Sequence, residues 1–292
     1  MPQGCVLGPI LFKIYVDDLF KLPIQSNLIA FADDTKIYNL SCNHGILQKD
    51  LSILYEWCKK NSVFVNFEKT VVMRFGARDS CHPYILDGCV LTEASEVKDL
   101  GVLIDSKLSY ATHCSGIVRK AQRLNYVILK VFSHCSAQNK FFLFKCYVRP
   151  LLDYCMVLYY PKTQNLKTML ETVQRRFTKR ICDRGLGYKE RLNYLSDTTI
   201  EQRHRLFSLL IMYKIVYGLL DICGFSYATS SLPSRGSIAR IRLPDSRTNF
   251  RKSFPLIHFV QLWNSLRPSP SDLSSVADFK RFLVKISLEA RA

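Results

Sequence analysis

Leu28-Ile29-Ala30-Phe31-Ala32-Asp33-Asp34-Thr35-Lys36-Ile37-Tyr38 is the stretch whose reading decides the fold. Short apolar runs with β-favouring residues flank two adjacent carboxylates, so the segment reads as strand, acidic turn, strand. Hairpin tips more often carry Asn-Gly or Asp-Gly, and neighbouring acids repel each other. A solvated acidic turn is the bland account of such a pair. Divalent cations would remove the repulsion, and Mg²⁺ prefers hard oxygen ligands of this kind. In two-metal phosphoryl transfer one ion activates the attacking hydroxyl and the other steadies the leaving group. Asp33 and Asp34 are therefore the candidate metal ligands and catalytic residues.

Around this hairpin, residues 1–110 mix short helix and strand signals. Residues 7–20 are apolar over a helical length, and 46–60 place Leu47, Leu51, Leu54, Tyr55 and Cys58 at a helical period. Residues 63–65 and 71–75 are β-branched and aromatic, as strands are, and 97–104 around Gly101 predict another hairpin. After Tyr110 the character becomes helical. Ile117, Ala121, Leu124, Ile128, Val131 and Phe132 fall on one helical arc, and Arg119, Lys120, Arg123 and Lys130 on a separate one. Leu166, Met169, Leu170, Val173 and Phe177 repeat the pattern, with Arg175, Arg176, Lys179 and Arg180 on the other side. A third amphipathic run covers 205–220. Residues 224–256, rich in Ser, Pro, Gly and Arg, predict a linker, and helical pieces at 259–266 and 277–288 follow it.

The 292 residues are enough for one large domain or two modest ones. Forty-one Lys and Arg against 24 Asp and Glu give a formal charge of +17 and a pI near 9.4. That balance suits a nucleic-acid partner, although charge alone also keeps an ordinary protein dispersed. Eleven cysteines, an odd number without CxxC pairs, and a start lacking a basic stretch before its apolar run point to free thiols inside the cell. His113-Cys114 and His134-Cys135 fit no zinc-finger or knuckle spacing. No apolar run reaches the roughly 18 residues of a membrane span, so no membrane partner is expected.

An ordered set of blocks resembles the reverse transcriptases of non-LTR retrotransposons, especially jockey-like elements. The blocks are Pro-Gln-Gly-Cys-Val-Leu-Gly-Pro-Ile-Leu-Phe from Pro2 to Phe12, Phe-Ala-Asp-Asp-Thr around Asp33, Trp57, Asn66 and Lys69, then Lys-Asp-Leu-Gly-Val-Leu-Ile-Asp from Lys98 to Asp105. Similarity continues through residues 148–154, 173–181 and 262–266. The resemblance implies RNA-directed DNA synthesis on two Mg²⁺ ions, with an RNA template, a DNA primer and deoxynucleotides as partners, in the nucleus or cytoplasm. Gln3 and Gly4 would lie beside the incoming nucleotide and template. Asp33 and Asp34 would hold metal, Lys69 would protonate the leaving pyrophosphate, and Leu100 and Gly101 would grip the primer end. Arg119, Lys120 and Arg123 would face the duplex backbone.

The implied fold is α+β: a partial polymerase palm, an antiparallel sheet with helices, over 1–110. A mostly α-helical thumb over 111–223, a basic linker over 224–256 and a C-terminal helical segment over 257–292 complete it. Tyr15-Val16-Asp17-Asp18 imitates the retroviral Y-x-D-D form, but it follows Gln3 too closely to leave the palm helix and reach a strand. It is expected to be an acidic pair at a helix end. The family also needs a third carboxylate from a strand upstream of the Pro-Gln-Gly block, together with fingers, and the chain opens at that block. The sequence therefore predicts a chain that does not polymerise alone. The rival expectation is a non-enzymatic, basic, nucleic-acid-binding fragment that works through its helices.

Overall fold

The molecule is described by a computed structural model over residues 5–76, 82–183, 185–222, 240–243, 254–267 and 270–289. It divides into two compact units, Met1–Leu108 and Ser109–Ala292. The architecture is α+β: among the described residues the small sheets lie in the first unit, and helices fill most of the second. Most of the expected linker, and Gln3 and Gly4, lie outside the described residues.

In the first unit, helix α1 (Gly8–Tyr15) starts with Pro9, whose missing N–H costs nothing in the first turn. None of its residues is buried, although seven of its eight are apolar or glycine apart from Lys13. A 3-10 turn follows at Asp17–Lys21, where Asp17 pairs with Lys21 at 2.5 Å. The Tyr15–Asp18 tetrad therefore straddles a helix end. The Lys21 ammonium holds the Asp17 carboxyl below its usual range.

Strands β1 (Asn27–Phe31) and β2 (Asp34–Tyr38) then form an antiparallel hairpin with Phe31 opposite Asp34. Strand alternation sends Leu28 and Ile37 toward apolar clusters with helix α2 (His44–Lys60), which contributes Trp57, Cys58 and Leu51. Asp50, buried on α2, accepts hydrogen bonds from the amides of Gln25 at 3.1 Å and Ser26 at 2.7 Å. The carboxylate thus fixes where the chain enters β1.

Residues 63–65 are not a strand. Ser62, at φ +52°, closes α2 with two backbone bonds: its own amide to the Lys59 carbonyl, and the Val63 amide to the Cys58 carbonyl. This is a Schellman cap, in which glycine usually takes the positive-φ place. Val63 therefore spends its N–H on the helix end. Val63 and Val65 still pack into the core while Phe64 faces solvent at 95% exposure, so the alternation was real without a partner strand.

The rest of the unit holds β3 (Val71–Val72), β4 (Ile85–Leu86), β5 (Cys89–Val90), β6 (Thr92–Glu93), β7 (Glu96–Asp99) and β8 (Val102–Asp105). The expected antiparallel sheet is corrected here. Among the described residues the strands form four separate two-stranded sheets, and the β3–β6 pair is parallel. Four of the eight strands are two residues long, too short to extend a common ladder, and turns occupy the gaps.

The second unit is helical: α3 (Ala111–Val131), α4 (Ala137–Leu143), a π turn at Phe144–Val148, α5 (Arg149–Asp153), α6 (Met156–Tyr159), α7 (Gln164–Ile181), α8 (Tyr188–Tyr194) and α9 (Ile200–Val216). Beyond the linker come α10 (Pro255–Asn264) and α11 (Val276–Glu289). α3 packs on α7, with the Asn125 amide donating to the Val173 carbonyl at 3.3 Å. Phe141, Phe144 and Phe177 stack in the core below, with centroids 5.5 and 4.9 Å apart. A further core joins α9, α10 and α11 through Met212, Tyr213, Val260, Trp263 and Phe279.

Two of the later similarity blocks explain themselves as packing. In Val148–Tyr154, Arg149 pairs with Asp197, Asp153 receives both arms of Arg203, and Leu152 is buried. In Leu262–Leu266, Trp263 is 1% exposed. Asn264 there exchanges two hydrogen bonds with the Ile241 backbone, at 3.0 and 2.9 Å, as a strand neighbour would. Among the described residues no helix is long and apolar enough to cross a membrane, and the described cysteines are free.

Candidate active site and nucleic-acid interface

Asp33 and Asp34 sit at the tip of the β1–β2 hairpin, both exposed. The connecting turn is two residues, Ala32-Asp33, with Ala32 at φ +53°. A side chain at that φ is held at a cost of about 1–2 kcal/mol, and glycine would be the usual choice. The pairing register fixes the faces. Phe31, Asp34, Lys36 and Ile29 share one side, and Leu28, Ala30, Thr35 and Ile37 the other. The second side packs on α2. The first faces outward, with Ile29 and Phe31 at 50% and 62% exposure, so Asp34 projects from an uncovered face.

Leu100 and Gly101 form the two-residue tip of the β7–β8 hairpin, with φ +42° and +87°. Both signs match a type I′ turn, for which Asn-Gly or Asp-Gly is favoured. The third hairpin of the unit, β4–β5, uses that chemistry with Asp87-Gly88. The two hairpins carrying candidate residues instead hold Ala32 and Leu100 at positive φ. Strain of this kind collects where geometry is wanted for function.

An ion pair joins the two hairpins. The Lys36 ammonium donates to the Asp99 carboxylate at 2.5 Å, linking β2 to β7. Lys36 lies two residues from Asp34 on the same strand face, and Asp99 immediately precedes Leu100. The structure thus brings the acidic tip and the Leu100-Gly101 tip into one assembly. Neither Lys36 nor Asp99 was a candidate from sequence. Period-two alternation could have put Lys36 on the Asp34 face, but its partner is 63 residues away.

Lys69 is exposed, in a turn after α2. Asn66 organises that turn: its side-chain carbonyl accepts from the Lys69 amide at 3.1 Å, and its backbone carbonyl accepts from Lys69 and Thr70. Trp57 is buried in α2 and takes no part. Of the Trp57, Asn66 and Lys69 block, two members build structure and one carries charge. Among the described residues Lys69 makes no ion pair with Asp33 or Asp34.

The donor set suits magnesium in kind. Asp33 and Asp34 offer hard, exposed oxygens, and Mg²⁺ is commonly bound through one or two carboxylates together with water and substrate phosphate. No group of three His, Cys, Asp or Glu side chains that could hold a metal occurs among the described residues. The ion's remaining ligands would come from elsewhere. When bound, it would supply charge neutralisation at the transferring phosphoryl group.

In the second unit, Arg119, Lys120 and Arg123 are exposed on α3, opposite its buried stripe of Cys114, Val118, Ala121, Asn125 and Ile128. None is in an ion pair with a described residue, and α3 contains no acidic residue. These three form a basic ridge in their own unit.

Residues 1–104 match the family model described as "Reverse transcriptase (RNA-dependent DNA polymerase)". The chain is 29% identical over 166 residues to the probable RNA-directed DNA polymerase from transposon BS of Drosophila melanogaster, covering 47% of this chain and 18% of that protein. It is 28% identical over 175 residues to the RNA-directed DNA polymerase from mobile element jockey of Drosophila funebris (54% and 19%). With the corresponding jockey protein of Drosophila melanogaster it shares 27% over 198 residues (62% and 21%). The matches thus span about a fifth of each relative's length. No solved structure is significantly similar to the chain.

Proposed function

We propose, from the premise that residues 1–104 belong to the reverse transcriptase family and that the chain is jockey-like, that it takes part in RNA-directed DNA synthesis by a mobile element. The observation that carries this is the hairpin tip. Two exposed, adjacent carboxylates stand at this tip, Asp33 in the turn and Asp34 on the uncovered strand face, and Lys36 on that face is tied to Asp99 beside the Leu100-Gly101 tip. Such a tip has no structural use for two repelling acids.

Asp33 and Asp34 would hold Mg²⁺. Lys69, presented by the Asn66 turn, would donate the proton that the leaving pyrophosphate needs. Leu100 and Gly101 would hold the primer end, Gln3 and Gly4 the incoming nucleotide, and Arg119, Lys120 and Arg123 the backbone of the template–primer duplex. The first unit would be a partial palm, the α3–α9 region a thumb, and the work would take place in the nucleus or cytoplasm. Two carboxylates are a poor cage for two ions, so the chain by itself would not extend a primer.

Mn²⁺ titration followed by electron paramagnetic resonance tests the site. Binding that tightens with added deoxynucleotide and disappears in Asp33→Asn/Asp34→Asn is expected, and equal binding by that variant would remove the metal assignment. Primer extension on an RNA template should show no product. Extension by the chain alone, abolished by Asp33→Ala, would overturn the expected inactivity while strengthening the polymerase assignment.

A further inference from the structure

Cations in the second unit fall into two populations. Arg149, Arg203 and Lys167 are in ion pairs with Asp197, Asp153 and Glu201, and Arg191 hydrogen-bonds to Thr178 and the Leu186 carbonyl. Arg175, Arg176, Lys179 and Arg180 on α7 are exposed, and none forms an ion pair with a described residue. They lie opposite the buried stripe of Leu170, Val173, Gln174, Phe177 and Thr178. The one carboxylate of α7, Glu171, accepts from the Tyr188 hydroxyl and the Ile200 amide. Arg175 stacks over Tyr188 at 4.9 Å, which holds the guanidinium in place without neutralising it.

We propose that this face of α7 is a second phosphate-binding surface, gripping the same template–primer duplex as α3. The inference rests on the reading above that the chain handles nucleic acid, and it extends the interface to residues outside the α3 ridge. α3 and α7 are in direct contact through Asn125 and Val173, so the two helices that carry the cation rows are packed together. Arg119 to Lys130 spans about 16 Å along its helix, and Arg175 to Arg180 about 8 Å. Phosphates on one strand recur every ~3.4 Å, so rows of this length can meet several at once. Eight exposed cations, none in an ion pair with a described residue and with no acid interleaved in either row, suit a polyanion of regular spacing better than an acidic protein patch, whose charges are sparse.

Fluorescence anisotropy with a short RNA–DNA hybrid duplex tests the proposal on the full chain. Arg175→Gln/Arg176→Gln/Lys179→Gln/Arg180→Gln should weaken binding at least tenfold at about 0.1 M salt, and should flatten the slope of log affinity against log salt by about 2–4. Removing four exposed charges elsewhere, through Gln at Lys49, Lys59, Lys60 and Lys107, should leave that slope unchanged. If the α7 variant unfolds, acetylation of the wild-type chain reads the same contact: Lys179 should be protected by the hybrid, and Lys49 should not. Wild-type slope in the α7 variant with Lys179 still reactive would overturn the proposal. If Gln at Arg119, Lys120 and Arg123 weakens binding in that case, the nucleic-acid reading survives and only the α7 surface is lost. Binding to phosphatidylserine vesicles but not to the hybrid would overturn the proposal, while Mn²⁺ binding at Asp33 and Asp34 would still decide the polymerase site independently.

Discussion

The two units handle their polar groups in opposite ways. In the first, charge is carried at hairpin tips and turns, at Asp33, Asp34 and Lys69, over thin packing in which α1 buries nothing and Ile29, Phe31 and Phe64 stand in solvent. In the second, many polar groups are drawn inside. Arg149 and Asp197 are 12% and 6% exposed at their side chains, Gln174 is 1% exposed, and His204 lies between Tyr160 and His258. The second unit thus carries its own stability, and the first displays chemistry on a surface that lacks a complete cover.

The largest expected effect attacks the second unit. Asp197→Ala would leave the Arg149 guanidinium buried against Phe141 and Phe144 without its partner, and should cost about 3–5 kcal/mol in urea unfolding. Burial already lowers the Arg149 pKa to about 10, so no easy loss of charge relieves it. If Arg149→Met/Asp197→Leu restores stability, the pair supplies specificity rather than net energy.

Acid should also find the second unit first. Burial, followed by the His258 and Lys167 charges, lowers the His204 pKa from its ordinary 6.5 to about 3. Between those values the unfolded chain binds a proton that the folded one refuses. Stability therefore falls as pH drops below about 6.5, by up to about 1.4 kcal/mol per pH unit, and levels off near 3. His258 is lowered as well, chiefly by burial and then by Lys167 and Arg205, with Glu201 opposing, so it adds to the same window. Melting temperatures that stay flat from pH 7 to 4 would contradict a neutral, buried His204.

A smaller effect is expected in the first unit. Asp50→Ala leaves the amides of Gln25 and Ser26 without their acceptor and should cost about 1–3 kcal/mol. Because Asp50 only positions the hairpin, Mn²⁺ affinity should fall along with stability, and Asp50→Asn should recover part of both. Smallest are the strained tips. Ala32→Gly and Leu100→Asn should each stabilise by up to about 1 kcal/mol, because they supply residues that accept positive φ. Stabilisation together with weaker metal or primer binding would show that the strain serves the site.

What could be read in advance followed from local periodicity. The 3.6-residue spacing marked α2, α3 and α7, because each needs one apolar stripe and shows it in the order of its residues, whereas α9 is buried on several sides through Ile200, Leu209, Met212 and Ile215 and has no single stripe. Two β-favouring runs about an acidic turn marked the β1–β2 hairpin, and Gly101 marked β7–β8. The Asp33-Asp34 tip was legible for the same reason. The helices within 137–159 and 188–194 were missed, being short and without a clean stripe.

Only the tertiary structure decided what depends on distant partners. The amide of Val63 went to a helix cap and not to a strand, and the sheet broke into two-stranded pieces. Arg149 and Asp153 became members of half-buried or buried ion pairs, whereas Arg175, Arg176, Lys179 and Arg180 form no ion pair with a described residue. Lys36 found Asp99 and joined the two hairpins. A residue's type sets what it can bond. Which bond it makes depends on what the folded chain brings within reach, and for the paired residues that neighbour lies tens of positions away.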